Sequence, residues 1–453
     1  MLNDTAWDLV FPHLETELAT FGYAILEASR LKELSGREPR LMAKHDFSAA
    51  RPAVFHERGL SMLPIRRDAY LIGHFDLYQP FPDHAGPLTS VPVPRHIESI
   101  DFENVTSESM ALTAASLSGM LDDFLGGQHV PTVSGRMSTQ RLPMTVGGHS
   151  IVVDRAQMEI DAGFESAEHL ALVEAKNHVS PDFNIRQLYF PFRRFSLALE
   201  KEVVPVYLVY SNGVFHFYRY AFRDPADFRS IELIDAHRYI LGPSALTPTA
   251  VHAVLQRTRV ERPQVPFPQA DSFARVISLL ENPVAKAEMP SVFGFSPRQA
   301  DYYTNAARYL GVDELRGSRD ERNLTLVEAL AARPVFREML ESVAQSERAL
   351  TVDEAMALMR AAELGLGDST LRRRAGTVVA WSQWVAELIR LGSLDAGPCQ
   401  GAAGHDEEDT GADVDPRARG QESAANRAGR NHRREHNEEQ VTRQRQAQHQ
   451  GYR

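Results

Sequence analysis

The sequence predicts an α/β (α+β) core with a mixed sheet, an α-rich region of winged-helix or helix-turn-helix units behind it, and a disordered C-terminal tail. Three observations predict this. Strand-type apolar runs interleave with helix-period segments between residues 101 and 245. Capped helix-period segments dominate 271–393. From 394 onward large apolar residues almost vanish. The expected organisation is therefore an N-terminal α+β region (1–100), the core (101–245), a linker (246–270), the helical region (271–393) and the tail (394–453).

In the N-terminal region, Leu14 to Leu34 has helical spacing with an expected end at Gly36, and Tyr70 to Tyr78 is strand-like. Prolines and aromatics between Pro80 and Pro94 predict a loop. His45, His56, His74 and His84 lack ligand-like spacing and read as satisfied or surface histidines. Thr106–Ser109 opens a helical segment to about Phe124, stopped by Gly126-Gly127. Met144 to Val153 reads as a hairpin about Gly147-Gly148.

The central stretch, Gln157 to Lys176, carries the chemistry. In the run Gln157–Asp161, Gln157, Glu159 and Asp161 share one strand face. The run from Leu170 opens with four apolar residues and then places Glu174 and Lys176 on one face. An apolar run of that kind predicts a buried strand, and charges at its end require partners. Asp182 to Glu202 then reads as helical despite Pro191. Val203–Ser211 and Val214–Tyr220 form strands about an Asn212-Gly213 turn.

Glu261 to Gln269 (ERPQVPFPQ) is linker-like. Ser296 caps a helix with Pro297 at its first position and Gly311 at its stop. Val312 to Leu326 is expected to form a short β-wing. Thr351 and Glu354 form a capping box, and Asp368 to Gly392 is a further amphipathic helix in which Trp381 and Trp384 read as core anchors. No internal repeat of fixed period is visible.

Composition narrows the classes. No run of about 18 apolar residues exists, so no membrane partner is expected. The N-terminus lacks the pattern of a signal peptide. The one cysteine, Cys399, excludes a disulfide framework or a cysteine-based zinc site. A cytoplasmic location is expected. The net charge of −11 argues mildly against nucleic acid, although a metal-holding acidic site contributes to that sum.

Hydrolysis of a phosphodiester needs an oriented water and neutralised phosphate charge. Asp161 and Glu174 suit Mg²⁺, a hard cation that prefers oxygen, and the Ala175 carbonyl is placed to add a third ligand. Glu159 is a candidate for a second ion. Lys176 either stabilises charge or, with a depressed pKa, takes a proton. Gln187 and Arg186, on the following helix, are placed to hold the attacking water or the phosphate. Glu38 is a further acidic candidate. A structural salt bridge is the competing account of the Glu174–Lys176 pair.

At these residues the chain resembles the PD-(D/E)XK nuclease superfamily, with Asp161 as the motif aspartate and Glu174-Ala175-Lys176 as its E-x-K. Ile160 stands where a proline is usual. SGRMST, QMEIDAGFE, LVEAKNH, NIRQLYFPFR and RQADYYTNAARYLG are similar to type II restriction endonucleases with appended winged-helix modules. That resemblance spans about Arg37 to Leu391. It implies a restriction-endonuclease-like core, Mg²⁺-dependent site-specific cleavage of double-stranded DNA, and a cognate DNA methyltransferase as functional partner. Palindromic recognition would favour a homodimer. Arg136, Arg298, Gln299, Asn305, Arg308 and Arg372, Arg373 and Arg374 are the candidate DNA contacts, beside Arg186. A repair or transposition nuclease, and a DNA-binding regulator with an inactive core, are the alternatives.

Overall fold

A computed structural model describes residues 2–82 and 86–394. The expected disordered tail, Cys399 and His84 lie outside the described residues. Within them the chain is mixed α/β, centred on a seven-stranded mixed sheet. Its strands run, edge to edge, Leu88–Val91, Ile231–Leu241, Val214–Phe222, Glu202–Ser211, His169–Lys176, Ala162–Glu165 and Val130–Pro131. The pairing of His169–Lys176 with Glu202–Ser211 is parallel, and so is that of Ile231–Leu241 with Leu88–Val91. The other four pairings are antiparallel.

Local chemistry accounts for these connections. Asn212 and Gly213 adopt φ of 49° and 76°, the positive values that a two-residue hairpin turn demands. The parallel pair needs a crossover, supplied by the helix Arg186–Ser196, which carries Pro191 without ending. That helix packs Leu188, Tyr189 and Phe192 onto the sheet face of Leu170, Leu172 and Tyr207. Helices Glu108–Leu117 and Met120–Leu125 cover the opposite face, against Ala171, Val173, Val206 and Phe217. His169–Lys176 is thus buried on both sides, which explains its apolar run.

Several expectations are corrected. The segment 14–34 is not one helix: Gly22, at φ 77°, ends the helix Glu15–Phe21, and Tyr23–Glu27 is a strand before the helix Ala28–Ser35. The alternation in YAILE lets that strand pair with Ala69–Gly73. The helix expected from Thr106 to Phe124 breaks at Gly119, φ 76°. Helix formation after Asp182 is delayed by the strand Asp182–Asn184. The linker contains a helix, Pro248–Arg257, capped by Thr247. The hairpin about Gly147-Gly148 forms as expected, from Arg141–Val146 and His149–Asp154.

The β-wing does not form. Among the described residues no strand follows Leu241, and Arg319–Ala331 is a helix. Ser318 and Glu321 make a capping box at its start, a signal that outweighs the Gly317 turn. The described region beyond Leu241 is all helical, built on a core in which Trp381 is fully buried and Trp384 partly so. The capping boxes at Ser296 and Thr351 are both present.

The helical region is fastened to the Asn212 turn by buried polar bonds. Glu281 accepts from Ser211 Oγ at 2.7 Å and from Asn212 N at 2.8 Å. Arg322 Nε donates to Asn212 Oδ1 at 3.0 Å, and Asn212 Nδ2 donates to Asn323 Oδ1 at 2.7 Å. Ser278 Oγ accepts from Val179 N at 3.0 Å, just beyond the strand that ends at Lys176.

Candidate active site at the end of the buried strand

Asp161 sits at a bend between two strands. Before it, Gln157–Ile160 pairs with Gly135–Ser138 in a separate two-stranded sheet. After it, Ala162–Glu165 enters the central sheet beside His169–Lys176. The strand adjoining the E-x-K strand is therefore Ala162–Glu165, while the Gln157–Ile160 run pairs elsewhere. Extending the Ala162–Val173 pairing by one step still brings Asp161 beside Glu174. Asp161 Oδ2 accepts the Ala175 amide at 2.8 Å.

Lys176 Nζ donates to Glu174 Oε1 at 2.7 Å and to the Ala175 carbonyl at 2.9 Å. Gln187, at the start of the crossover helix, donates its amide to the same Glu174 oxygen. Glu174, Lys176 and Gln187, all expected to act chemically, thus meet directly, and Asp161 joins them through the Ala175 backbone.

Electrostatics follow from burial. Loss of water pushes the Glu174 carboxyl up to about 7, with Asp161 adding to the rise and Lys176 opposing it. For Lys176, burial alone would lower the pKa, but Glu174, Tyr207, Glu108 and Asp161 outweigh it and hold the ammonium well above its ordinary value. Of the two roles expected of Lys176, this arrangement favours a held positive charge, since the groups around it oppose loss of its proton.

The donor set fits a hard cation in kind. It offers two carboxylates, the Ala175 carbonyl and Gln187 Oε1, which is buried without a hydrogen-bond partner. Among the described residues, however, no three His, Cys, Asp or Glu side chains are grouped to hold a metal ion. Two of the expected ligand oxygens are engaged by the Lys176 ammonium. A cation would share these oxygens with the ammonium or displace it.

Glu159 and Arg136 face each other across their strand pair, Arg136 Nε donating to Glu159 Oε2 at 3.2 Å. The carboxylate expected to bind a second ion and the arginine expected to touch phosphate thus hold one another, on an exposed face. Glu159 still borders the narrow cleft that Glu174 and Gln187 line. Arg186 is tied to Asp46 at 3.0 Å. Glu38 pairs with Lys32 on the surface and takes no part in the cluster.

Two residues at the site carry no signal in the sequence. Glu108 opens a helix one residue after the capping Ser107, so it reads as an ordinary acidic helix start. Folded, it lies beside the Asn177 amide and within the fields of Lys176 and Asp161, where burial raises its pKa. Tyr207 is paired in register with Glu174 but sits inside an apolar run. Nothing local marks either residue, because both reach the site only through tertiary pairing.

In the helical region Gln299 supplies the side chain of the capping box, accepting from Ser296 N at 2.9 Å. Asn305 and Arg308 are exposed. Arg298 Nε donates to Tyr302 Oη at 2.6 Å with its guanidinium over the ring. Arg374 lies within the field of the same tyrosine, its pKa lowered by burial and by Arg373. Among the described residues Arg298 alone lies over the Tyr302 ring, and Arg372 and Arg373 are exposed.

The chain matches family descriptions in three segments. Residues 73–240 match a Domain of unknown function (DUF6997), residues 4–72 another (DUF6996), and residues 275–320 and 315–390 a third (DUF7226). No curated protein matches the chain, and no solved structure does.

Proposed function

We propose that the chain is a divalent-cation-dependent nuclease with a restriction-endonuclease-like core. The observation that carries this reading is the cluster at one strand end, where Asp161, Glu174, Lys176 and Gln187 converge with Glu108 close by. A structural salt bridge alone needs only Glu174 and Lys176. It leaves unexplained why a second carboxylate and an amide are held against the same pair in a buried place. Asp161, Glu174 and the Ala175 carbonyl would hold Mg²⁺, which when bound supplies charge neutralisation and an acidified water. Lys176 stabilises negative charge on the transferring phosphate. Gln187 orients the water beside Glu174.

The finer reading is a type II site-specific endonuclease acting on double-stranded DNA in the cytoplasm, with a cognate methyltransferase as functional partner; recognition of a palindromic site would favour a homodimer. Arg298, Arg308 and Arg372 to Arg374 serve as phosphate contacts in this reading. The test is Lys176→Ala in the full chain, assayed with plasmid DNA and Mg²⁺ or Mn²⁺. Loss of cleavage with retained gel shift supports the proposal; undiminished cleavage sinks it. One observation favours a second reading, a DNA-binding regulator with an inert core: the ammonium already satisfies two of the oxygens assigned to the cation. Gel shift by the unaltered chain with no cleavage in either metal would favour that reading.

A further inference from the structure

Tyr207 lies beside Glu174 in the parallel register, so both side chains point to one face of the sheet, and Lys176 joins them two residues on. The Tyr207 ring is fixed between Phe183, 4.5 Å between centroids, and Phe81, 5.1 Å. It is fully buried, yet no hydrogen bond reaches its hydroxyl. A phenylalanine would fill the same space without leaving a buried oxygen unsatisfied. An orphaned hydroxyl within a charged cluster calls for a state in which it is used.

The neighbours indicate that state. The ammonium of Lys176 has three donors, and two of them hold Glu174 Oε1 and the Ala175 carbonyl. The cleft over Glu174, bordered by Glu159 and Gln187, measures about 10 Å³. That is scarcely one water. A hydrated cation does not fit in that cleft, and the four-carbon stem of Lys176, bonded to Glu174 beside it, is the flexible member of the cluster. The Tyr207 hydroxyl lies within electrostatic reach of this ammonium, and burial keeps it protonated.

We propose that Tyr207 is a positioning residue whose hydroxyl oxygen is the second seat of the Lys176 ammonium, occupied when Glu174 and the Ala175 carbonyl turn to a divalent cation. The inference rests on the metal-dependent reading of the site. It adds that the lysine and the cation exchange places and that Tyr207 makes the exchange possible without stranding a buried charge.

The experiment is Mn²⁺ binding to the full chain, read from the free-ion paramagnetic resonance signal at pH near 8. Four proteins are compared: the unaltered chain, Tyr207→Phe, Lys176→Met and the double variant. Tyr207→Phe is expected to weaken Mn²⁺ binding by about fivefold or more, a coupling typical of residues in contact, while thermal unfolding without metal is unchanged or raised. Lys176→Met is expected to bind Mn²⁺ more tightly, and in that background Tyr207→Phe has no further effect. Equal weakening by Tyr207→Phe in both backgrounds overturns the exchange. Mn²⁺ binding and cleavage by the unaltered chain alongside a silent Tyr207→Phe overturn the second seat alone. No Mn²⁺ binding by the unaltered chain or by Lys176→Met overturns the metal-dependent reading and this inference with it.

Discussion

The charged residues of the sheet and those of the helical region behave differently. At the strand end, Glu174 and Lys176 are nearly out of water, and each is held by other groups. In the helical region Arg298, Arg308, Arg372 and Arg373 face solvent, and Gln299 is consumed by a helix cap. A buried charge must find a partner or bear the full cost of desolvation, so its surroundings are constrained. An exposed arginine costs little wherever it stands. Buried charge at the end of an apolar run is therefore informative about chemistry, whereas arginine at helical spacing is informative only once helices are packed.

The largest expected effect tests the sheet side of this contrast. Lys176→Ala should lower plasmid cleavage by about a thousandfold, roughly 4 kcal/mol, with DNA affinity changed less than about twofold by gel shift. Equal reductions in both would mean that the lysine only builds the fold.

Next comes the joint between the sheet and the helices. Arg322 is buried against Glu281 at 3.7 Å and bonded to Asn212. Arg322→Ala leaves buried Glu281 without its counter-ion and should cost about 3 kcal/mol in urea unfolding. A change below about 1 kcal/mol would show that the network is not a joint.

The third prediction concerns pH. Burial pushes His45 and His178 down to about 3. A histidine whose folded pKa lies below its unfolded value, about 6.5, stays neutral when folded but charges when unfolded. Stability is thus intact above about 6.5 and falls as pH drops toward 3, by up to about 1.4 kcal/mol per histidine per unit. Glu174, raised to about 7 from 4.5, works in the opposite sense between those values, since protonation favours its buried state. Urea midpoints at several pH values below about 6.5 should decline, and a flat profile would remove the histidine account.

Smallest are the effects expected on the helical side. Arg372→Ala with Arg373→Ala should reduce DNA affinity modestly and make the salt dependence shallower, by about one unit of slope for each phosphate those arginines neutralise. Gln299→Ala should leave DNA affinity alone and cost about 1 kcal/mol or less through its cap. If Gln299→Ala weakens DNA binding instead, that helix end is a reader after all.

Much of the site is legible in the sequence because its residues announce themselves locally. Leu170–Val173 followed by Glu174 and Lys176 reads as an inner strand with charges at its end, and the Asn212-Gly213 turn marks the neighbouring hairpin. The helix caps at Ser296 and Thr351 are equally legible, as their bonds span three residues. The wing fails because Ser318 and Glu321 resemble turn residues until they cap a helix. Glu108 and Tyr207 are illegible, since one resembles a helix start and the other a core aromatic.

What the sequence by itself determined is therefore whatever depends on neighbours along the chain: turns, caps, the buried strand and the charged pair at its end. Tertiary structure alone decided the partners of those charges. Pairing of Ala162–Glu165 with His169–Lys176 brought Asp161 to Ala175, and the parallel strand set Tyr207 beside Glu174. The crossover helix delivered Gln187. The physical reason is range: caps and turns are satisfied within a few residues, while a desolvated carboxylate is satisfied by whatever the sheet and its crossover bring against it.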